Sequence, residues 1–364
     1  IMLIDIATAV PPFKITQERA TEELVKRMGG RPAIGRMVRM AASRSDINSR
    51  YVVLPEAEEH VSEGLFSEHG GYVRPGTKAR MELYEQWSKN LSVRAVQDLL
   101  NATGTSAEQI HRLITISCTG FVAPGIDYHI IQELNLPRTV RRRHIGFMGC
   151  AAALIGLQSI FELDERSPEG SNSVLVSVEL CSLHLQTEPT VDNILANILF
   201  ADGAAAVLLS ASRPSHVPRA FKFLHSMSVL FDGSSSLMGW KIGDFGFEMM
   251  LSQDLPKTIE SEAVPALRRM LERIGISLDQ IRHWALHPGG RAILDALQAG
   301  LGLADRAMAP SRCILQGFGN MSSATILFVL KNILASGDVE VGDLCCAVAF
   351  GPGLTMEVVL LKAV

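Results

Sequence analysis

A chain of 364 residues with 47% hydrophobic and 20% charged side chains has the composition of a globular protein with a substantial core, which excludes the disordered classes. Its net charge of −4 and pI near 6.2 come from mixed signs along the whole length, so no nucleic-acid footprint is expected and any anion site is local. Six cysteines (Cys118, Cys150, Cys181, Cys313, Cys345 and Cys346) show no CxxC and no Cys/His ligand spacing, so neither a metal site nor a disulfide framework is expected.

This cysteine usage reads as a reducing cytoplasm. No apolar run approaches the roughly 20 residues a membrane span needs, and no signal-like segment opens the chain, so a soluble protein is expected. A chain opening on Ile1 is expected to have lost its natural start.

In chain order, Thr77 to Ala102 reads as an amphipathic helix with Tyr84, Trp87, Leu91, Ala95 and Leu99 on one stripe. HRLITISCTG (His111 to Gly120) reads as a buried strand running into a glycine turn, and RRRH (Arg141 to His144) as exposed surface. GCAAALIGLQSIFEL (Gly149 to Leu163) begins with small residues and continues as a helix without a polar face, the pattern of a helix buried in the centre of a fold. VLVSVEL (Val174 to Leu180) is a fully buried strand of parallel-sheet type, and SASRPSHVPRA (Ser210 to Ala220) is the expected crossing between halves 1–212 and 213–364. Beyond it come an amphipathic helix (Ala263 to Ile274), a second strand-to-turn segment, IRHWALHPGG (Ile281 to Gly290), and a second all-round apolar helix, GNMSSATILFVLKNI (Gly319 to Ile333). LCCAVAF (Leu344 to Phe350) is again a buried strand, with Cys345 and Cys346 on its two sides.

These segments repeat at an offset of about 170 residues, which predicts a duplicated α/β protein layered α/β/α/β/α, its two halves related by a pseudo-twofold axis. Such an axis brings the N-termini of the two apolar helices together, one carrying Cys150 and the other Asn320. His287 follows the preceding strand on the same side of the sheet. An isolated cysteine is commonly a small buried hydrophobe. At a helix N-terminus its thiolate gains about half a positive charge, Ala151, Ala152 and Ala153 leave room for substrate, and Ile145, Phe147 and Met148 bury the approach. Asn320 is a good helix N-cap, and its amide and the His287 imidazole together make a two-donor hole for an oxyanion or enolate. Cys, His and Asn allow protease-like hydrolysis or thioester-based carbon–carbon bond formation. The place of Asn320 at the start of its own helix suits a donor that faces substrate.

GFMGCAAA, HPGGR, GFGNMSSA and FGPGLT occur in an order and spacing that resembles the type III polyketide synthases, the chalcone-synthase-like members of the thiolase superfamily, over nearly the whole chain from Ala7. An initiating ketosynthase of the 3-oxoacyl-ACP synthase III kind uses the same three residues, but HPGG with GPGLT resembles the type III pattern. The resemblance implies that Cys150 takes an acyl group from a CoA starter, and that His287 and Asn320 promote decarboxylation of malonyl-CoA to the attacking enolate. It implies repeated condensation and ring closure by a homodimer, without metal or redox cofactor. It places CoA phosphates on Arg36, Arg39 and Arg44, and the pantetheine arm along Gly290 and Ala292.

The pocket residues implied by the resemblance are Cys118, Thr119, Glu179, Cys181, His184, Leu185, Trp240, Met249 and Ser322. Plant members hold two phenylalanines beside the nucleophile; the resemblance places these positions on Leu185 and Met249, which would admit an alkyl chain. Trp240 stands where plant enzymes have glycine. Cysteine at 118 removes the hydroxyl that, with Glu179 and Ser322, activates water for aldol closure in stilbene-forming relatives. The motif set resembles bacterial members and favours an alkylpyrone or alkylresorcinol product from an aliphatic starter. The alternatives are a tetrahydroxynaphthalene-type synthase using malonyl-CoA alone, with Cys118 as its second cysteine, and a non-catalytic subunit of the same fold.

Overall fold

Strands such as Asn172–Leu180 and Asp202–Ser210, rich in small and aliphatic residues, run through the middle of the molecule, because side chains buried on both faces must be apolar or internally bonded. The computed structural model describes residues 1–58, 61, 63–164 and 172–364. The N-terminal half supplies β1 (Met2–Ala9), β2 (Ile110–Ser117), β3 (Arg141–Gly146), β4 (Asn172–Leu180) and β5 (Asp202–Ser210). The C-terminal half supplies β6 (Phe221–Leu230), β7 (Ile281–Leu286), β8 (Leu344–Gly351) and β9 (Thr355–Ala363). Their order is β7-β8-β9-β6-β1-β5-β4-β2-β3. Among the described residues the strands of the two halves pair only where Met2 meets Lys222 and Leu3 meets Phe221, so the ribbon behaves as two sheets joined at one corner. Each sheet repeats one plan, a parallel pair (β2 with β4, β7 with β8) followed by an antiparallel neighbour (β5, β9).

Helices α1 (Pro32–Ser43), α2 (Thr77–Thr103), α3 (Ala152–Asp164), α4 (Val191–Leu199), α5 (Val264–Arg273), α6 (Arg291–Leu301), α7 (Asp305–Phe318) and α8 (Thr325–Ala335) complete the layers. The apolar helices α3 and α8 lie between the two sheets in one shared core, α2 covers the outer face of the first sheet, and α5 to α7 cover the second. This is the layered α/β/α/β/α architecture that the repeat predicts. Leu154, Leu157, Leu327 and Leu330 are fully buried there, and truncating one to alanine costs about 2–5 kcal/mol. Cys345 faces the shared core and Cys346 the outer one, as the alternation requires. On the predicted stripe of α2, Tyr84, Leu91, Ala95 and Leu99 are buried and Trp87 is half-buried.

The structure corrects the register of the repeat. Short 3-10 turns at Gly149–Ala151 and Ser322–Ala324 lead into α3 and α8, whose first residues, Ala152 and Thr325, are 173 positions apart. In this register Cys150 matches Ser323, and Asn320 stands about one turn ahead of it. A sequence offset cannot detect the three extra residues, because both stretches begin with glycine and small side chains. Arg141 to His144 is exposed as expected and forms edge strand β3. Among the described residues no helix is long and apolar enough to cross a membrane.

Candidate active site

Each half delivers one chemical residue through a glycine with positive φ. Gly149 (φ +63°) turns the chain from β3 into the Cys150 turn, and a Cβ there would lie 2.4 Å from Pro352. Gly319 (φ +70°) does the same before Asn320, where a Cβ would lie 2.8 Å from the Arg50 side chain. The FGPGLT loop thus packs directly against the nucleophile's turn. His287 follows β7, with its N–H donating to Val348 O at 2.8 Å, and Gly289 and Gly290 then open helix α6.

Cys150, His287 and Asn320 line one cavity of about 560 Å³. The Cys150 sulfur lies 3.7 Å from Ser322 Oγ and 4.0 Å from Asn320 Oδ1. Asn320 Oδ1 accepts the Ser322 N–H at 2.8 Å in a local turn ahead of the helix, where Met321 and Ala324 and not Asn320 hold the capping positions; that bond fixes the amide orientation, and Nδ2 donates to Gly289 O at 3.2 Å. One amide hydrogen is left for a substrate oxygen. Both ring nitrogens of His287 are buried without a partner.

Burial decides the charge state here. It pushes the Cys150 thiol up to about 12, against the smaller opposing effect of the Ser322 and Asn320 contacts. It also holds the His287 imidazole down at about 3. Burial thus favours the neutral thiol and the neutral imidazole, and so opposes the stabilisation of a thiolate expected from the start of a helix. Ala151, Ala152 and Ala153 do not open the sulfur to substrate either. They are fully buried in the core between the sheets, where small side chains fit the interlayer packing. Met148 is 42% exposed, and Phe147 and Ile145 are half-buried, so these residues only partly cover the approach.

Behind Cys150, Cys118 and Thr119 at the end of β2 are pinned from several sides. Glu179 Oε2 accepts the Cys118 N–H and the Thr119 hydroxyl, each at 2.9 Å, and Glu179 Oε1 accepts the Ser323 hydroxyl. Burial raises the Glu179 carboxyl to about 7, and these donors oppose the shift. Trp240 Nε1 donates to Cys118 O at 2.7 Å. The Phe247 N–H donates to His184 Nδ1 at 2.9 Å, so His184 Nε2–H donates to Thr119 O at 2.7 Å, which makes His184 a fixed polar contact. The partners of Glu179 differ from the expected set: Thr119 and Ser323 provide the hydroxyls, while Ser322 turns to Cys150.

Two smaller cavities adjoin the first. One of about 30 Å³ is lined by Cys150, Cys118, Thr119, Ser322, Cys181 and Trp240, and one of about 110 Å³ lies behind Cys181, Trp240, His184 and Leu185. Met249 lines all three, and so does Phe200, which the sequence reading missed. Leu185 faces only the 110 Å³ cavity, whereas Phe200, just past the end of α4, lines both cavities that Cys150 lines. Its signal is a long-range parallel bridge from Phe200 to Asn320, which no local pattern reveals. At the mouth, Arg44, Gly290 and Ala292 line the 560 Å³ cavity. Arg36 is exposed outside its lining, and Arg39 is held by both carboxylate oxygens of Glu22 at 2.6 and 2.7 Å, which turns that charge away from the mouth.

The family described as "Chalcone and stilbene synthases, N-terminal domain" matches residues 1–213, and its C-terminal domain matches residues 223–364. The 1,3,6,8-tetrahydroxynaphthalene synthase of Streptomyces peucetius is 29% identical over 98% of this chain and 92% of its own. The alpha-pyrone synthesis polyketide synthase-like Pks18 of Mycobacterium tuberculosis is 31% identical over 78% of this chain and 73% of its own. The crystal structure of PKS-I from the brown alga Ectocarpus siliculosus superposes with a TM-score of 0.91 at 27% identity, covering 100% of this chain and 98% of that one. With both family domains matched across nearly its full length, the chain belongs to the chalcone and stilbene synthase family, the type III polyketide synthases of the thiolase superfamily.

Proposed function

We propose that this condensing enzyme loads an aliphatic acyl group from acyl-CoA onto Cys150, extends it with malonyl-CoA and closes the chain to an alkylpyrone or alkylresorcinol. The observation that carries this reading is the meeting of Cys150, an unpartnered neutral His287 and the Asn320 amide in a largely apolar cavity with Arg44 at its mouth. His287 accepts the thiol proton as the sulfur attacks the acyl thioester, and CoA leaves as its thiol. With malonyl-CoA bound, N–H groups of His287 and Asn320 bond the thioester oxygen, CO2 departs, and the electron pair of the broken bond becomes an enolate. The enolate carbon attacks the acyl carbon on Cys150, the sulfur leaves, and the lengthened chain rides on CoA for the next round. An enol oxygen attacking the terminal thioester carbon, with the C–S bond breaking and CoA leaving as its thiol, gives a pyrone. Aldol closure with loss of CO2 and CoA gives a resorcinol.

The space behind Met249 supports an alkyl starter, because a flexible thioether yields to a chain where a ring would block it. A CoA phosphate at Arg44, a pantetheine arm along Gly290 and Ala292, and action as a cytoplasmic homodimer belong to the same reading. Cys118 beside Cys150 in the 30 Å³ cavity favours a second reading, a tetrahydroxynaphthalene-type product from malonyl-CoA alone. A mass-spectrometric screen of acyl-CoA starters with labelled malonyl-CoA separates the two. Products carrying an intact alkyl starter are expected, and aromatic product assembled from malonyl units alone overturns the first reading.

A further inference from the structure

Helix α1 forms one lip of the cavity that holds Cys150, and its charge is one-sided. From Arg31 to Arg44 the chain carries four arginines and no carboxylate. Arg39 is tied to Glu22; among the described residues Arg31, Arg36 and Arg44 meet no acidic partner. Between these arginines Met37 and Met40 stand 40% and 51% exposed, and both line the cavity mouth together with Val191, itself 40% exposed. The apolar surface continues from this lip into the cavity through Ile194, Leu195 and Ile198.

We propose that this lip is a membrane contact. Helix α1 lies on an anionic phospholipid surface with Met37 and Met40 inserted among the headgroups, so that an acyl chain passes between bilayer and cavity without crossing water. The inference rests on the reading that the cavity receives acyl chains. A basic helix with an apolar edge has the composition of an interfacial segment. The whole chain carries −4, so the attraction is confined to this lip, where each arginine near an anionic surface strengthens binding about fivefold. The apolar side chains that line the cavity from Met37 and Met40 to Ile198 favour a bilayer over a folded acidic carrier protein, because a bilayer holds loose acyl chains at the depth of the two methionines.

The test is flotation of the full chain with vesicles of phosphatidylcholine alone or mixed equally with phosphatidylglycerol. The chain is expected to float with the mixed vesicles only, and to be released by high salt. Met37→Ser/Met40→Ser is expected to weaken binding about tenfold or more, and Arg36→Gln about fivefold, with circular dichroism confirming an intact fold. Equal binding to neutral vesicles, wild-type binding by the double methionine variant, or capture by an acidic acyl carrier protein without vesicle binding would each overturn the proposal. Vesicle binding by a chain that makes no polyketide would uphold this proposal and sink the functional reading. Polyketide formation by a chain that ignores vesicles would do the reverse.

Discussion

The indole N–H of Trp240 donates to the carbonyl oxygen of Cys118 at 2.7 Å, fastening the hairpin Met238–Leu251 to the end of β2 in the wall between the two small cavities. Trp240→Phe removes this bond and keeps most of the ring, so a loss of about 1 kcal/mol with the same starter preference is expected. Trp240→Gly merges the 30 and 110 Å³ spaces, and competition between acyl-CoA lengths read by mass spectrometry is expected to shift toward longer starters. An unchanged length profile in the glycine variant would show that the wall does not measure the chain.

Arg44 and Arg39 lie five positions apart and differ in what they face. Arg44 lines the mouth, whereas Arg39 is bound to Glu22. Steady-state kinetics are therefore expected to show a several-fold rise in KM for CoA substrates in Arg44→Ala with little change in kcat, and a smaller effect in Arg39→Ala. Equal effects would mean that the Glu22 pair opens when CoA binds.

Glu179 gives the fold a pH signature. Its carboxyl is raised to about 7 from an ordinary 4.5, so the folded state favours the protonated form. Its contribution to stability is present below about pH 4.5 and is lost as pH rises through about 7. Asp202, raised by burial to about 6, acts in the same sense. Glu179→Gln keeps an oxygen for the Cys118 and Thr119 donors and turns an NH2 toward Ser323, so the variant is expected to fold. Its melting temperature is expected to fall less than wild type's between about pH 5 and about pH 8. Parallel curves would place the pH dependence elsewhere.

His287 is expected to act in both steps and Asn320 after loading. His287→Ala and Asn320→Ala should each lower CO2 release from malonyl-CoA by about 10²–10³-fold, the ordinary worth of one oxyanion donor, while the acyl-enzyme still forms readily in Asn320→Ala and more slowly in His287→Ala, which lacks the base for the thiol proton. Labelled CO2 release and intact-protein mass measured on one sample separate the two steps.

The layers were legible in the sequence because helices without a polar face and strands apolar on both sides have one stable place, between sheets and beneath helices. The meeting of Cys150, His287 and Asn320 in one cavity was legible for a related reason: glycine turns mark where buried elements start or end. What the sequence did not reveal depends on contacts between distant segments. Phe200 reaches the cavity because its backbone bridges to Asn320, Arg39 is withdrawn by a carboxylate 17 positions earlier, and Glu179 takes its hydroxyl partners from Thr119 and Ser323 while Ser322 turns to Cys150. At Cys150 the dipole of the helix start is visible in sequence, while the burial that opposes it is not.

Intact-protein mass spectrometry after incubation with an acyl-CoA, before any malonyl-CoA is added, reads the role of Cys150 without interference from later steps. Wild-type protein is expected to gain the mass of one acyl group, and Cys150→Ala to gain none and to form no product. Acylation of the Cys150→Ala protein to the wild-type extent would place the nucleophile elsewhere and contradict the mechanism.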